Sequence, residues 1–385
     1  MPATFLIFFA VVLLLYGAAN LYVLRRVEPA LPQRRWILLV FRSLFGAWAL
    51  AFLVGRVLEQ REVCTTSKVL VWAGSLWLGL LVYALLASVL VDLLALANRL
   101  RPFLPVAMAH RPLRTRRAIT GALGAVAALP VVAGYLNARE VRLRTLELVI
   151  DKPAGALSSL NVVVASDIHL GTIVGRSRFS RMVEAINAQS PDLVLLVGDI
   201  IDEDLKPVIE EDLGETLRDL RARYGVFGVT GNHEYIGGVA ASVAYLEEHG
   251  VRMLRDATAE VAGGLWLVGR EDVSAPRFGF PERRPLSDLM TSVDRTRPVI
   301  LMDHQPWNFD PAQEAKVDLQ LSGHTHDGQL WPFALITRAV YERSWGLERR
   351  GSTWFYVSCG AGTWGPPVRL GNEPEIVLMK LRFRQ

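Results

Sequence analysis

Hydrophobic residues follow two patterns along this chain, and the change falls near residue 138. Before it lie four long apolar segments, at 5–24, 36–58, 69–91 and 119–136, joined by short polar connections. A helix needs about 20 apolar residues to cross a bilayer core, where no water satisfies free backbone groups. The pattern therefore predicts about four membrane-spanning helices, the Ala- and Gly-rich fourth being the weakest. A cleaved leader would account for the first segment but not for three more.

Beyond residue 138 the apolar runs shorten to strand length and end in polar residues. Residues 161–166 lead into Asp167-Ile168-His169, and 192–197 into Gly198-Asp199. Between them, 178–188 has helical spacing, with Phe179, Met182, Val183 and Ile186 on one face. A strand, helix and strand in this order predict a parallel, buried pair. Further runs lead into Gly231-Asn232-His233-Glu234, Asp303-His304 and Gly323-His324-Thr325-His326. The chain thus divides into a membrane region (1–138), a charged junction (139–159) and a globular domain (160–385).

Composition sharpens the membrane half. The formal charge of +4 comes from arginines set beside the apolar segments, with no basic face interleaved with aromatics, so nucleic acid is not an expected partner. Arg25, Arg26, Arg34 and Arg35 follow the first segment, and Arg99, Arg101, Arg111, Arg114, Arg116 and Arg117 follow the third. Positive loops face the cytoplasm, so four spans place both the N-terminus and the globular domain on the outer side of an inner or cell membrane. Arg42 lies inside the second span, near the end from which its side chain can snorkel. Thr115-Arg116-Arg117 before the fourth segment has two readings, an internal twin-arginine export signal or part of the positive loop. Cys64 and Cys359 are too few for a disulfide framework or a cysteine metal site and are expected unpaired.

Histidine placement carries the chemistry. Of seven histidines, five (His169, His233, His304, His324 and His326) fall in the polar ends of the strand-like runs, and His110 and His249 do not. Ligands gather beyond the carboxyl ends of parallel strands, so these loops can converge. Carboxylates, imidazoles and an amide oxygen together suit Mn, Fe or Zn, and a carboxylate such as Asp199 can bridge two ions. Two such ions activate a shared water and clamp the attacking and leaving oxygens at phosphorus. Glycines before Asp199, Asn232 and His324 allow tight turns and close backbone approach.

The ordered motifs resemble the calcineurin-like metallophosphoesterase superfamily over 160–385. The Gly362-Thr363-Trp364-Gly365-Pro366-Pro367-Val368-Arg369 stretch and the apolar segments are similar to its bacterial membrane-associated, YkuE- and YaeI-like branch. The resemblance implies a four-layer α/β/β/α sandwich behind an all-α transmembrane region. It implies two divalent ions, with Asp167, His169 and His326 holding one, Asn232, His304 and His324 the other, and Asp199 bridging. His233 would act on the phosphate without binding metal. Asp327-Gly328 stands where that branch often has two glycines. Arg369 is a candidate contact for substrate phosphate or a structural arginine, and Asp202 a hydrogen-bond partner within the site.

The function this implies is hydrolysis of phosphomonoesters or phosphodiesters by a metal-bridging hydroxide, in the phosphoric ester hydrolase class EC 3.1. Partners would be the bilayer and a phosphate ester that the aromatic and basic insertions at 271–297 and 330–350 allow to be lipid-linked. Two other readings stand beside it. One is pyrophosphate cleavage of a nucleotide-linked lipid such as UDP-diacylglucosamine, which needs a cytoplasmic domain. The other is a non-catalytic membrane sensor or scaffold.

Overall fold

A computed structural model describes residues 3–103 and 113–384; His110 and Arg111 lie outside the described residues. It divides the chain into two compact units, Met1–Tyr135 with Gly365–Val368, and Leu136–Trp364 with Arg369–Gln385.

The first unit contains α1 (Ala3–Val27), α2 (Arg35–Arg61), α3 (Thr65–Leu100) and most of α4 (Leu113–Ala138). All four helices are long and apolar enough to span a membrane. Small residues let α2 and α3 approach closely: a Cβ on Gly74 would strike the Phe52 backbone, and one on Gly55 would strike Val71. Several polar groups within the helices pair with one another. The Trp77 indole donates to Asn20 Oδ1 at 3.0 Å, and Arg56 pairs with buried Glu59 at 2.8 Å. Arg42 reaches Glu28, just beyond the end of α1, with Nε 3.0 Å from Oε2.

The second unit is built on two mixed, six-stranded sheets. Its strands are β1 (Arg142–Ile150), β2 (Ser159–Ala165), β3 (Leu193–Val197), β4 (Val226–Val229), β5 (Val251–Met253) and β6 (Ala257–Val261). There follow β7 (Leu265–Gly269), β8 (Val299–Met302), β9 (Leu319–Ser322), β10 (Gly346–Arg350), β11 (Thr353–Val357) and β12 (Glu375–Phe383). One sheet runs β1-β12-β2-β3-β4-β5 and the other β10-β11-β9-β8-β7-β6. The expected parallel pairing of β2 with β3 is present, and β4 and β5 continue it. In the second sheet β7, β8, β9 and β11 are parallel.

Strand patterning explains the layers. Val162, Val164, Leu195 and Val197 of one sheet pack with Leu265, Leu267, Ile300 and Leu321 of the other in a single buried core. Alternate residues face outward, yet those of the central strands are also buried. On the first sheet's side, Phe179, Met182, Val183 and Ile186 are the buried face of α5 (Arg176–Asn187). Behind the second sheet, Val268, Leu301 and Phe355 pack with Leu286, Leu289 and Phe309. The result is the four-layer sandwich expected from the resemblance.

Candidate metal centre

Strands from both sheets deliver the polar loops to one edge. Asp167 and His169 follow β2, Asp199 follows β3, Asn232 and His233 follow β4, His304 follows β8, and His324 and His326 follow β9. Asp167, His169, Asp199, His324 and His326 all have positive φ, between 49° and 70°. Non-glycine residues avoid this region, and such strain collects where function demands a particular side-chain direction. The preceding glycines serve close approach: a Cβ on Gly231 would collide with Asp199 Oδ1, and one on Gly323 with Ser166 Oγ.

These side chains form overlapping clusters. In each of the sets Asp167, His169, His326 and Asp199, His304, His324, the donor atoms lie within 4.8 Å of one another. His169, Asp199 and His233 form a third such set. All are buried except His324, which is half-buried. Asp167 accepts the His324 amide at 2.9 Å, and Asp199 Oδ1 accepts the His233 amide at 2.8 Å, so the ligand loops also bind one another.

The donor set fits two cations. His304 Nδ1 lies 2.7 Å from the Val197 carbonyl and can only donate to it, so in the neutral ring Nε2 is a bare lone pair. That lone pair faces Asp199 Oδ2 at 3.1 Å, an opposition of two acceptors that a positive charge between them resolves. Asn232 Oδ1 is buried without a hydrogen-bond partner. Nε2 of His169 and Nε2 of His326 are 3.0 Å apart, about the spacing of two imidazole nitrogens on one ion at a right angle.

Electrostatics follow from this crowding. Burial pushes the Asp199 carboxyl up, but His304, His233 and His169 outweigh it and hold it well below its usual range. Burial lowers His304, and Asp199 and Asp167 more than reverse it. Burial, helped by His304, lowers His324 to about 3. Burial and the Arg369 cation push His326 well below its usual value. His324 and His326 therefore stay neutral, the state in which imidazole binds metal. Against burial, Asp199 and Asp202 raise His233 to about 9, with Asp202 Oδ1 3.1 Å from its Nδ1.

Asp202 takes the supporting place expected of it, lying also 3.5 Å from His169 Nδ1. Arg369 does not present itself to substrate. It is fully buried, and its guanidinium donates to Cys359 O, Gly362 O and Asn372 Oδ1 and faces His326 Nδ1 at 3.0 Å. With its fork so engaged beside a candidate ligand, it takes the place of the structural arginine of the two readings. Cys64 and Cys359 are both free, and His249 binds the Tyr245 carbonyl away from the site.

Glu234 was not singled out by its motif. It is completely buried and accepts the amides of Gly231 (2.7 Å), Ile201 (2.9 Å) and Asp199 (3.1 Å), tying the second and third ligand loops together. The available signal was positional: it is the third residue of the helix α6 (Asn232–Gly237), where a glutamate reaches back to the amide at the helix start.

Residues 160–328 match the calcineurin-like phosphoesterase family model. This chain belongs to the calcineurin-like metallophosphoesterases. It is 28% identical to a Campylobacter jejuni protein described as an uncharacterized metallophosphoesterase, over 99% of this chain and 100% of that one. It is 30% identical to the uncharacterized metallophosphoesterase YkuE of Bacillus subtilis, over 69% of this chain and 97% of YkuE. A zebrafish transmembrane protein with metallophosphoesterase domain is 31% identical, over 67% of this chain and 61% of its own length. The chain spans about 60% of the length of some curated relatives it matches. The chain thus joins a calcineurin-like phosphoesterase domain to four helices long and apolar enough to span a membrane.

Proposed function

We propose that this protein hydrolyses phosphomonoesters or phosphodiesters at the outer surface of the membrane. The convergence of seven candidate ligands from five strand ends, with His233 beside them, carries the reading. Asp167, His169 and His326 would hold one divalent ion, Asn232, His304 and His324 the other, with Asp199 between. Mn, Fe and Zn all suit this mixture of nitrogen and oxygen donors. When bound, two such ions lower the pKa of water and neutralise phosphate charge.

The chain's own groups do the rest. Val197 O fixes the His304 ring, so that Nε2 points at Asp199. His233, kept protonated by Asp199 and Asp202, is placed to donate a proton to the departing ester oxygen. Burial of the ligand atoms excludes competing water from the loops. The outward orientation rests on the arginines flanking the spans.

The test is hydrolysis of a chromogenic phosphodiester by purified, Mn-loaded full-length protein. A rate no higher than that of an Asp199→Asn, His324→Ala double variant would overturn the catalytic reading and favour a sensor. A C-terminal alkaline phosphatase fusion should be active; a silent one, paired with a fluorescent C-terminal green fluorescent fusion, would place the domain in the cytoplasm.

A further inference from the structure

The short helix α7 (Ala334–Val340) is amphipathic in the wrong sense for water. Its two polar residues are tied back to the protein, although the Arg338 side chain itself stays exposed. Thr337 Oγ1 lies 2.8 Å from Ser344 Oγ, and the Arg338 guanidinium folds back onto buried Asp327 at 3.1 Å. Beside the exposed Arg338, its outward residues are Leu335, Ile336, Ala339 and Val340, Leu335 exposed by 64% and Ile336 by 58%. Trp331, also exposed, precedes the helix, four residues before Leu335. A helix on an aqueous surface turns its apolar stripe to the core, so this arrangement calls for an apolar medium outside.

The same chain supplies one. Helix α4 ends at Ala138 and β1 begins at Arg142, leaving residues 139–141 between the last span and the first strand of the sandwich. A link of that length reaches about 14 Å at most. The first strand of the domain thus begins within reach of the lipid interface, where an apolar helix face flanked by tryptophan is at home. We propose that the Trp331–Val340 face inserts into the interfacial layer of the bilayer that the chain itself spans. Asp327 directly follows His326, so the Arg338–Asp327 pair then couples a lipid-bound helix to a loop of the metal centre. The proposal rests on the membrane spans and is independent of the hydrolytic reading.

Depth-dependent quenching tests it on the full-length protein in phosphatidylcholine vesicles, with Cys64 replaced by Ser. An environment-sensitive fluorophore is placed on Ile336→Cys, and in a separate sample on Ile209→Cys, an exposed apolar control in the same domain. Lipids carrying a nitroxide near the top of the acyl chain should quench position 336 at least about two-fold more than position 209. Ala339→Cys, on the same face, gives the reading should the first variant misfold. Equal quenching at 336 and 209, or none at 336, overturns the proposal. A probe at 336 that is shielded but unquenched, and that becomes exposed as protein is diluted in the vesicles, assigns the face to a second copy of the chain and overturns it as well.

Discussion

The guanidinium of Arg369 sits 3.0 Å from Nδ1 of His326, the ring whose other nitrogen lies 3.0 Å from His169 Nε2. Arginine has only donors, so His326 Nδ1 accepts, and in the neutral ring the proton lies on Nε2, between the two histidines. Loading a cation onto Nε2 as a neutral imidazole moves that proton to Nδ1, so the Arg369 guanidinium must then turn its donors to the Cys359 and Gly362 carbonyls. Arg369→Met keeps much of the volume but leaves the Cys359 and Gly362 carbonyls without their buried donor. We expect a loss of about 3 kcal/mol in stability, and about 10- to 100-fold weaker metal retention. Thermal denaturation and elemental analysis after dialysis check both; unchanged metal content would show that the arginine does not position His326.

In the proposed hydrolysis, His233 and Asp202 form the pair that would set the alkaline limit. Asp199 and Asp202 hold the His233 proton up to about 9, so a step that needs the imidazolium proceeds below that pH and fails above it. Cations in the site shift this limit downward in wild type and variant alike. Asp202→Asn removes a favourable charge, so the alkaline limb of kcat should move to lower pH with metal content unchanged. His233→Ala should lower kcat by about 10²- to 10⁴-fold across the profile. A full pH–rate profile of each variant is the measurement.

Much of the catalytic half was legible because a parallel strand ends where a ligand begins. Val162 to Ala165 reads as a buried strand, and Asp167 and His169 follow it in the structure as the motif orders them. What local pattern does not encode is pairing at long range. Strand β12 joins β1 in parallel and β2 in antiparallel register, bringing residues more than two hundred positions apart into contact. Arg369 has two readings in the sequence for a related reason: only the fold surrounds it with the Cys359 and Gly362 carbonyls.

Asp327 shows what a departure from glycine requires. Its φ of 43° lies in the region that glycine enters freely and aspartate or asparagine tolerates. Its buried carboxylate also accepts from Ser344 Oγ at 2.8 Å and pairs with Arg338. Asp327→Asn keeps the backbone tolerance and one acceptor oxygen, and should cost under about 1 kcal/mol. Asp327→Ala loses both, and should cost about 2 to 3 kcal/mol. Denaturant titration of the two variants tests the ordering, and equal costs would discard it.

Glu234 should matter more with metal than without. Burial and the neighbouring Asp199 raise its carboxyl to about 7. In the metal-free protein the folded state therefore holds this proton more tightly than the unfolded chain does. The group's contribution is most favourable below about 4.5, and is lost as pH rises through about 7. Cations neutralise Asp199 and remove that repulsion, so the ionised form, with its three amide bonds, becomes the better one. Glutamine cannot copy it, because its NH2 group must face one of the three amides. We expect Glu234→Gln to cost little in metal-free protein at neutral pH, and about 2 kcal/mol in the loaded protein. The rise in Tm on adding Mn should accordingly be smaller in the variant than in wild type. An equal rise would mean that Glu234 only ties the loops together and takes no part in balancing the charge of the metal centre.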